Sequence, residues 1–190
     1  MGAASLYIQV PKNNWKDEMS GLKEKFSKIL VAIDGSQPSM DAVDYAIAIA
    51  QRNEAELTAL YVVSSPTTFD YKSDTPEDQI PEIAKDIVHY AKKESQPWFN
   101  EITEKVRARA AAVTLKEDTK ETNSSVIQLK TQVVVSPISV TGSIVQYAER
   151  ENMDLIVVGT RGRSAFKRLL LGSTASGIVT HAHCPVMVVR

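Results

Sequence analysis

Two short segments hold the residue types best placed to do chemistry in this chain: Gly159-Thr160-Arg161-Gly162 and, after nine intervening residues, Gly172-Ser173-Thr174. The first begins where the apolar run from Asp154 to Val158 ends, and the second leads into a stretch with helical periodicity. Glycine lets a backbone turn with positive φ and lie close against a ligand. The first turn of a helix offers unpaired N–H groups and the positive end of the peptide dipole. Ser173 and Thr174 add hydroxyls for phosphate oxygens. The chemistry implied is the holding of a phosphate chain, most readily that of a nucleotide.

Turnover is less well provided for. There is no G-x4-G-K-[ST] loop, so no lysine is placed to stabilise a leaving phosphoryl group. No His-Asp-Ser arrangement or G-x-S-x-G elbow occurs either. His181 and His183, two apart on a helix, point away from each other and make a poor metal pair. Cys184, at a strand start, reads as a buried structural thiol. The site is expected to bind, with slow hydrolysis at most.

The elements that must position these residues follow from the apolar pattern. Lys28 to Ile33 reads as a buried strand stopped by Asp34-Gly35-Ser36. Ser36 or Ser39 caps the next helix, with Pro38 in its first turn and Val43, Ala46, Ile47 and Ala50 inward. Leu57 to Val63 is a second strand, and Ser64 to Ile80, with two prolines, a loop. Pro81 to about Val113 is helical, with Ile83, Ile87, Tyr90 and Ala91, then Ile102, Val106, Arg109 and Ala110, facing in. Pro97 is expected to break or kink it. Residues 116–125 form an exposed connection. Leu129 to Val135, Asp154 to Val158 and Pro185 to Val189 complete five strands. Helices lie between them, with Ile144, Val145 and Ala148, then Ala175, Ile178, Val179 and Ala182, as inward faces.

Strands apolar on both faces and separated by helices imply a doubly wound, five-stranded parallel sheet with helices on both sides. Ligands in such sheets sit beyond the C-terminal strand ends, at the topological switch point. Asp34 and Gly159 both end strands at that edge, so two separate features converge on one place.

Size and charge narrow the class. With 190 residues, 43% hydrophobic and 24% charged, the chain can bury a full core. A net charge of −1 provides no basic field for nucleic acid or an anionic membrane, and neither is expected as a partner. One cysteine excludes an internal disulfide framework and fits a reducing compartment. No apolar stretch approaches the roughly 20 residues of a membrane span, and the first ten residues lack the basic start and apolar core of a signal peptide. A cytoplasmic location is expected.

The combination of Ile29-Leu30-Val31-Ala32-Ile33-Asp34-Gly35-Ser36, Gly159-x2-Gly162-x9-Gly172-Ser173 and Cys184-Pro185-Val186-Met187-Val188-Val189 resembles the universal stress protein family. The likeness runs from about Lys28 to Arg190, with the motifs in family order and spacing. It implies cytoplasmic residence and a homodimer formed largely through the last strand. The glycine spacing is similar to that of the family's ATP-binding branch, which implies ATP as ligand. Mg²⁺ or Mn²⁺ would accompany it, because hard cations bridge phosphate oxygens. Carried over residue by residue, the resemblance puts Asp34 at the ribose or near adenine, Val62 backbone at the adenine edge, and Ala32 beneath the base. Gly159, Gly162 and Gly172 line the phosphate path, Ser173 and Thr174 hold the triphosphate, and Arg161, with Arg163, lies in the loop where it can screen phosphate charge.

This chain departs from the family layout in its N-terminal extension, residues 1–26, ahead of a domain at residues 27–190, and in a long second helix and polar connection. Three functions stay open: a nucleotide-dependent regulatory module of the stress response, a weak ATPase or phosphotransferase, and a nucleotide-free dimeric interaction protein.

Overall fold

The computed structural model describes residues 25–66, 69–114, 127–163 and 171–190. Most of the N-terminal extension and the connection expected at 116–125 lie outside the described residues. The elements run β1 (Lys28–Ile33), α1 (Gln37–Asn53), β2 (Glu56–Ser64), β3 (Tyr71–Lys72), a 3₁₀ turn (Glu77–Gln79), α2 (Glu82–Thr114), β4 (Leu129–Ser136), α3 (Val140–Arg150), β5 (Leu155–Gly159), α4 (Ser173–His181) and β6 (Val186–Val189).

Across the sheet the order is β3-β4-β2-β1-β5-β6. Every pairing is parallel except that of β3 with β4. The sheet therefore has six strands rather than the expected five. Two residues carry no periodicity, so β3 was hidden inside a stretch that reads as loop. It is held by context: Tyr71 is fully buried, and the Ser73 hydroxyl accepts from Val133 N at 2.7 Å.

Side chains alternate across the strands and divide the core in two. Ile29, Val31 and Ile33 of β1 join Val43, Ala46 and Ile47 of α1 and Ala84, Val88 and Ile102 of α2 on one face. Leu30 and Ala32 join Ile144 and Ala148 of α3 and Ala175 and Ile178 of α4 on the other. Helices thus cover both faces of the sheet. Among the described residues no helix is long and apolar enough to cross a membrane.

The long helix departs from expectation in its continuity, in part of its inward face and at Arg109. It runs unbroken from Glu82 to Thr114 with Pro97 inside it. Pro97 and Lys93 both lie on the solvent side, where water can serve the carbonyl that proline leaves without a donor. Its buried face runs through Ala84, Val88, Ala91, Ser95, Phe99, Ile102 and Val106, while Ile83 and Tyr90 are 82% and 55% exposed. The small residues Ala84 and Ser95 set that face, and they weigh little in a hydrophobic pattern. Arg109 is exposed and reaches across to Gln51 at 2.8 Å.

β1 has β2 on one side and β5 on the other, with Ala32 in register with Leu60 and with Val158. The chain leaves β1 toward one face and β5 toward the other. The crevice between their ends is the switch point of the sheet.

Candidate functional site

A cleft of about 180 Å³ opens at this switch point. Ala32, Asp34, Gly159, Arg161, Gly162, Gly172, Ser173 and Thr174 all line it, with Ile144 of α3 and Ala175 of α4 beneath. Its volume is below the roughly 300–1,000 Å³ of ordinary ligand pockets. A larger hollow of about 710 Å³ lies at the β3–β4 end, lined among others by Lys72, Asp74 and Arg150. The glycine loop takes no part in it.

At the start of α4, Gly172 is the N-cap and supplies no side-chain acceptor. Its own N–H is spent on Thr160 O at 2.7 Å. The next N–H groups, of Ser173 and Thr174, belong to the first helical turn, which has no intrahelical acceptor for them. Both residues line the cleft.

Among the described residues Asp34 is the one carboxylate lining the cleft. Its Oδ1 accepts from Ser36 N at 3.0 Å and Ser36 Oγ at 2.6 Å. Its Oδ2 accepts from Arg163 N at 3.1 Å. A carboxylate oxygen has two lone pairs, so Oδ2 keeps one acceptor position and Oδ1 none. The expected cap of α1 is altered in consequence: Ser36 occupies the N-cap without a side-chain cap bond, because its hydroxyl is turned to Asp34. Ser39 Oγ instead donates to Ser36 O at 2.8 Å.

The glycines do different work from that expected. Among the described glycines only Gly35 has positive φ, at 77°. Gly162 is needed for proximity instead: a Cβ there would lie 2.5 Å from Asp34 Oδ2. At Gly159 it would lie 2.6 Å from the Pro38 carbonyl, so this glycine lets β5 approach the start of α1. Both line the cleft, and both are also architectural.

Three residues that sequence reasoning did not assign, Tyr61, Glu94 and Trp98, complete the surroundings, and they engage Arg163, which was expected to screen phosphate charge. Arg163 Nε donates to Asp34 O at 2.6 Å, and its Nη1 donates to Glu94 Oε1 at 2.8 Å. The guanidinium lies 4.9 Å from the Trp98 ring centroid, within cation–π range. Tyr61 OH donates to Glu94 Oε2 at 2.5 Å, and its ring meets Trp98 edge-on at 5.2 Å. Partial burial opposes the charge on Glu94, but bonds from Tyr61 and Arg163 outweigh it and hold the carboxyl below the usual glutamate range. Burial, then the Glu94 carboxylate, push the Tyr61 phenol well above its ordinary value. Glu94 and Trp98 carried no sequence signal, since the helix that bears them reads as an ordinary amphipathic one.

Val62 does not line the cleft. Its side chain is buried in the core on the α3–α4 face. The bonds Glu56 N to Ser27 O and Leu57 N to Gln128 O fix the alternation of β2. Even-numbered residues turn their main-chain groups toward β1, and β1 pairs no further than Ile33 with Tyr61. The same pattern sets Val62 N–H against Ile33 O and leaves the Val62 carbonyl just past that last pair.

Among the described residues no group of three or more His, Cys, Asp or Glu side chains could hold an ion. A cation at this cleft would depend on ligand oxygens. Cys184 is buried, and burial pushes its thiol up to about 11, which fits packing rather than reactivity.

The profile of the universal stress protein family matches residues 25–190. The chain belongs to the universal stress protein family. A universal stress protein of Methanocaldococcus jannaschii is 32% identical over 169 residues, covering 87% of this chain and 82% of the relative. Among solved structures, the universal stress protein UspA from Lactobacillus plantarum superposes with a TM-score of 0.60 at 28% identity, over 88% of this chain and all of that one. A universal stress protein from Archaeoglobus fulgidus, solved in complex with dAMP, gives a TM-score of 0.55 at 16% identity, over 87% of this chain and 98% of that one. The α/β architecture with its mostly parallel sheet is that of the universal stress proteins.

Proposed function

We propose that this universal stress protein binds an adenine nucleotide, ATP foremost, in the β1–β5 cleft and acts as a nucleotide-dependent regulatory module of the stress response. The observation that carries the reading is the first turn of α4, uncapped by any side chain at Gly172 and opening on the glycine-lined cleft. Backbone N–H groups with the helix dipole behind them suit phosphate, and the Ser173 and Thr174 hydroxyls add donors. Gly159, Gly162 and Gly172 give the phosphate chain its path, and Arg161 supplies a cation at the rim. The remaining acceptor position on Asp34 suits a ribose hydroxyl. In the Val62 backbone the carbonyl is the group offered to the adenine edge, and Ala32 leaves room below the base. The Archaeoglobus fulgidus relative solved with dAMP supports the ligand class. Mg²⁺ or Mn²⁺ enters as part of the nucleotide complex, held by phosphate oxygens.

The protein is read as cytoplasmic and homodimeric across β6. A weak ATPase or phosphotransferase is less well supported, because Asp34, the cleft's carboxylate, already receives three donors and is poorly placed to activate water. Titration calorimetry of the purified protein with ATP, AMP and cyclic AMP tests the reading. Saturable binding is expected. Silence for all three at millimolar concentration overturns it and favours a nucleotide-free interaction protein.

A further inference from the structure

The glycine loop and the long helix are joined by one side chain. Arg163 follows Gly162 directly and is among the residues at the cleft, and its guanidinium reaches α2. It reaches Glu94 at 2.8 Å and lies over Trp98 at 4.9 Å, while its Nε holds Asp34 O at 2.6 Å and its main-chain N holds Asp34 Oδ2 at 3.1 Å. Those contacts tie together the end of β1, the glycine loop and the middle of α2. Glu94 is itself braced by Tyr61 OH, and Trp98 sits so close over the turn after β1 that a Cβ on Gly35 would meet its ring at 2.2 Å. The Glu94 side chain is 19% exposed, and the forked geometry of a guanidinium on a carboxylate and an aromatic face is specific to arginine.

We propose that Arg163 is a positioning residue: clamped by Glu94 and Trp98, it fixes the glycine loop in its ligand-binding geometry, and Arg161 is left as the cation that meets the ligand. This rests on the cleft's binding an adenine nucleotide. It makes affinity depend on α2, an element that contributes nothing to the cleft lining.

The sign of one substitution separates positioning from direct contact. If Arg163 met the phosphates itself, Glu94→Gln would free its charge for them and tighten ATP. If Arg163 positions the loop, the same change slackens the clamp and weakens ATP. Titration calorimetry with MgATP on the full chain, for wild type, E94Q, R163A and the double variant, is the test. R163A is expected to weaken binding about tenfold, the scale of one charge-assisted hydrogen bond. E94Q is expected to weaken it severalfold, and the double variant to be no weaker than R163A. Trp98 emission, read in a Trp15→Phe background, is expected to shift in E94Q and R163A before any nucleotide is added. Thermal unfolding without ligand checks the fold, and R163Q replaces R163A if the alanine variant does not fold. Tighter or unchanged ATP binding by E94Q overturns the proposal while wild-type binding stands. Absence of binding by wild type overturns both this inference and the function on which it rests, and the two failures are told apart by the wild-type titration.

Discussion

At the scale of single residues, close approach decides more than flexibility does. Among the described glycines Gly35 alone combines positive φ with a packed neighbour, Trp98. Gly35→Ala is expected to cost about 1–3 kcal/mol, from the left-handed backbone and the displaced ring together. Chemical denaturation measures it, and a change under about 0.5 kcal/mol, the usual surface value, contradicts the geometry. Gly162 is exposed, so the loop can yield there without unfolding the core. Gly162→Val is expected to lift the loop from Asp34 Oδ2 and abolish ATP binding while the far-ultraviolet dichroism stays native; a variant that unfolds shows that this glycine serves the fold first. Glu94 adds a pH signature. Its carboxyl is held below the unfolded value, about 4.3, by Tyr61 and Arg163, with Tyr90 on its own helix a further donor. A lowered carboxyl value stabilises the fold above the unfolded pKa, and that contribution is lost as pH falls through the folded one. Wild type is therefore expected to exceed E94Q in urea midpoint at pH 6 and to converge with it near pH 3. Parallel curves over that range contradict the clamp's ionic character.

At the scale of elements, the difference between what was legible and what was not has a physical cause. Val31 and Val157 sit in continuous apolar runs because both faces of those strands are covered, and such runs announce themselves. So does the Gly159-to-Thr174 pattern, since close approach admits few residue types. β3 is too short to show alternation, and it exists because Tyr71 and Ser73 find partners across β4. At the start of α2 the inward face was misread by one position, because Ala84 is buried while Ile83 is not, whereas Ala91, Ile102 and Val106 face in as expected. The clamp was invisible because Glu94 and Arg163, 69 residues apart, meet only once the sheet is assembled. Pro97 gives this element its own test. It is exposed, so its ring packs on little, yet it denies the helix a donor and crowds the Lys93 carbonyl. Pro97→Ala is expected to stabilise the protein by about 1–2 kcal/mol, the helix penalty of proline offset in part by its stiffening of the unfolded chain. An unchanged or lowered denaturation midpoint means that the proline shapes α2 to fit Glu94 and Trp98 against the loop.

At the scale of the whole molecule, the open edge of the sheet is where a second chain is expected. Ile156 N donates to Pro185 O at 3.0 Å and Thr160 N to Val189 O at 2.7 Å. Residues 185, 187 and 189 thus spend their main-chain groups on β5, and Val186 and Val188 turn theirs outward. Among the described residues no strand lies beyond β6, and an unpaired row of donors and acceptors invites pairing. Proline is tolerated on an edge strand where its missing N–H would have faced outward. Val188→Pro therefore removes a donor from the proposed dimer contact and none from the ladder with β5. Light scattering is expected to give twice the chain mass for wild type and the single mass for the variant, with a native dichroism spectrum. The cleft residues named above belong to one chain, so the monomeric variant is expected to keep its nucleotide. MgATP at one hundred times its dissociation constant stabilises a binding fold by about 2.7 kcal/mol, and the thermal midpoint of both proteins is expected to rise accordingly. A variant that stays dimeric places the contact elsewhere, on a face such as that of Ile83 and Tyr90 on α2. One that turns monomeric and loses the ATP shift means that assembly, rather than the single chain, holds the glycine loop in place.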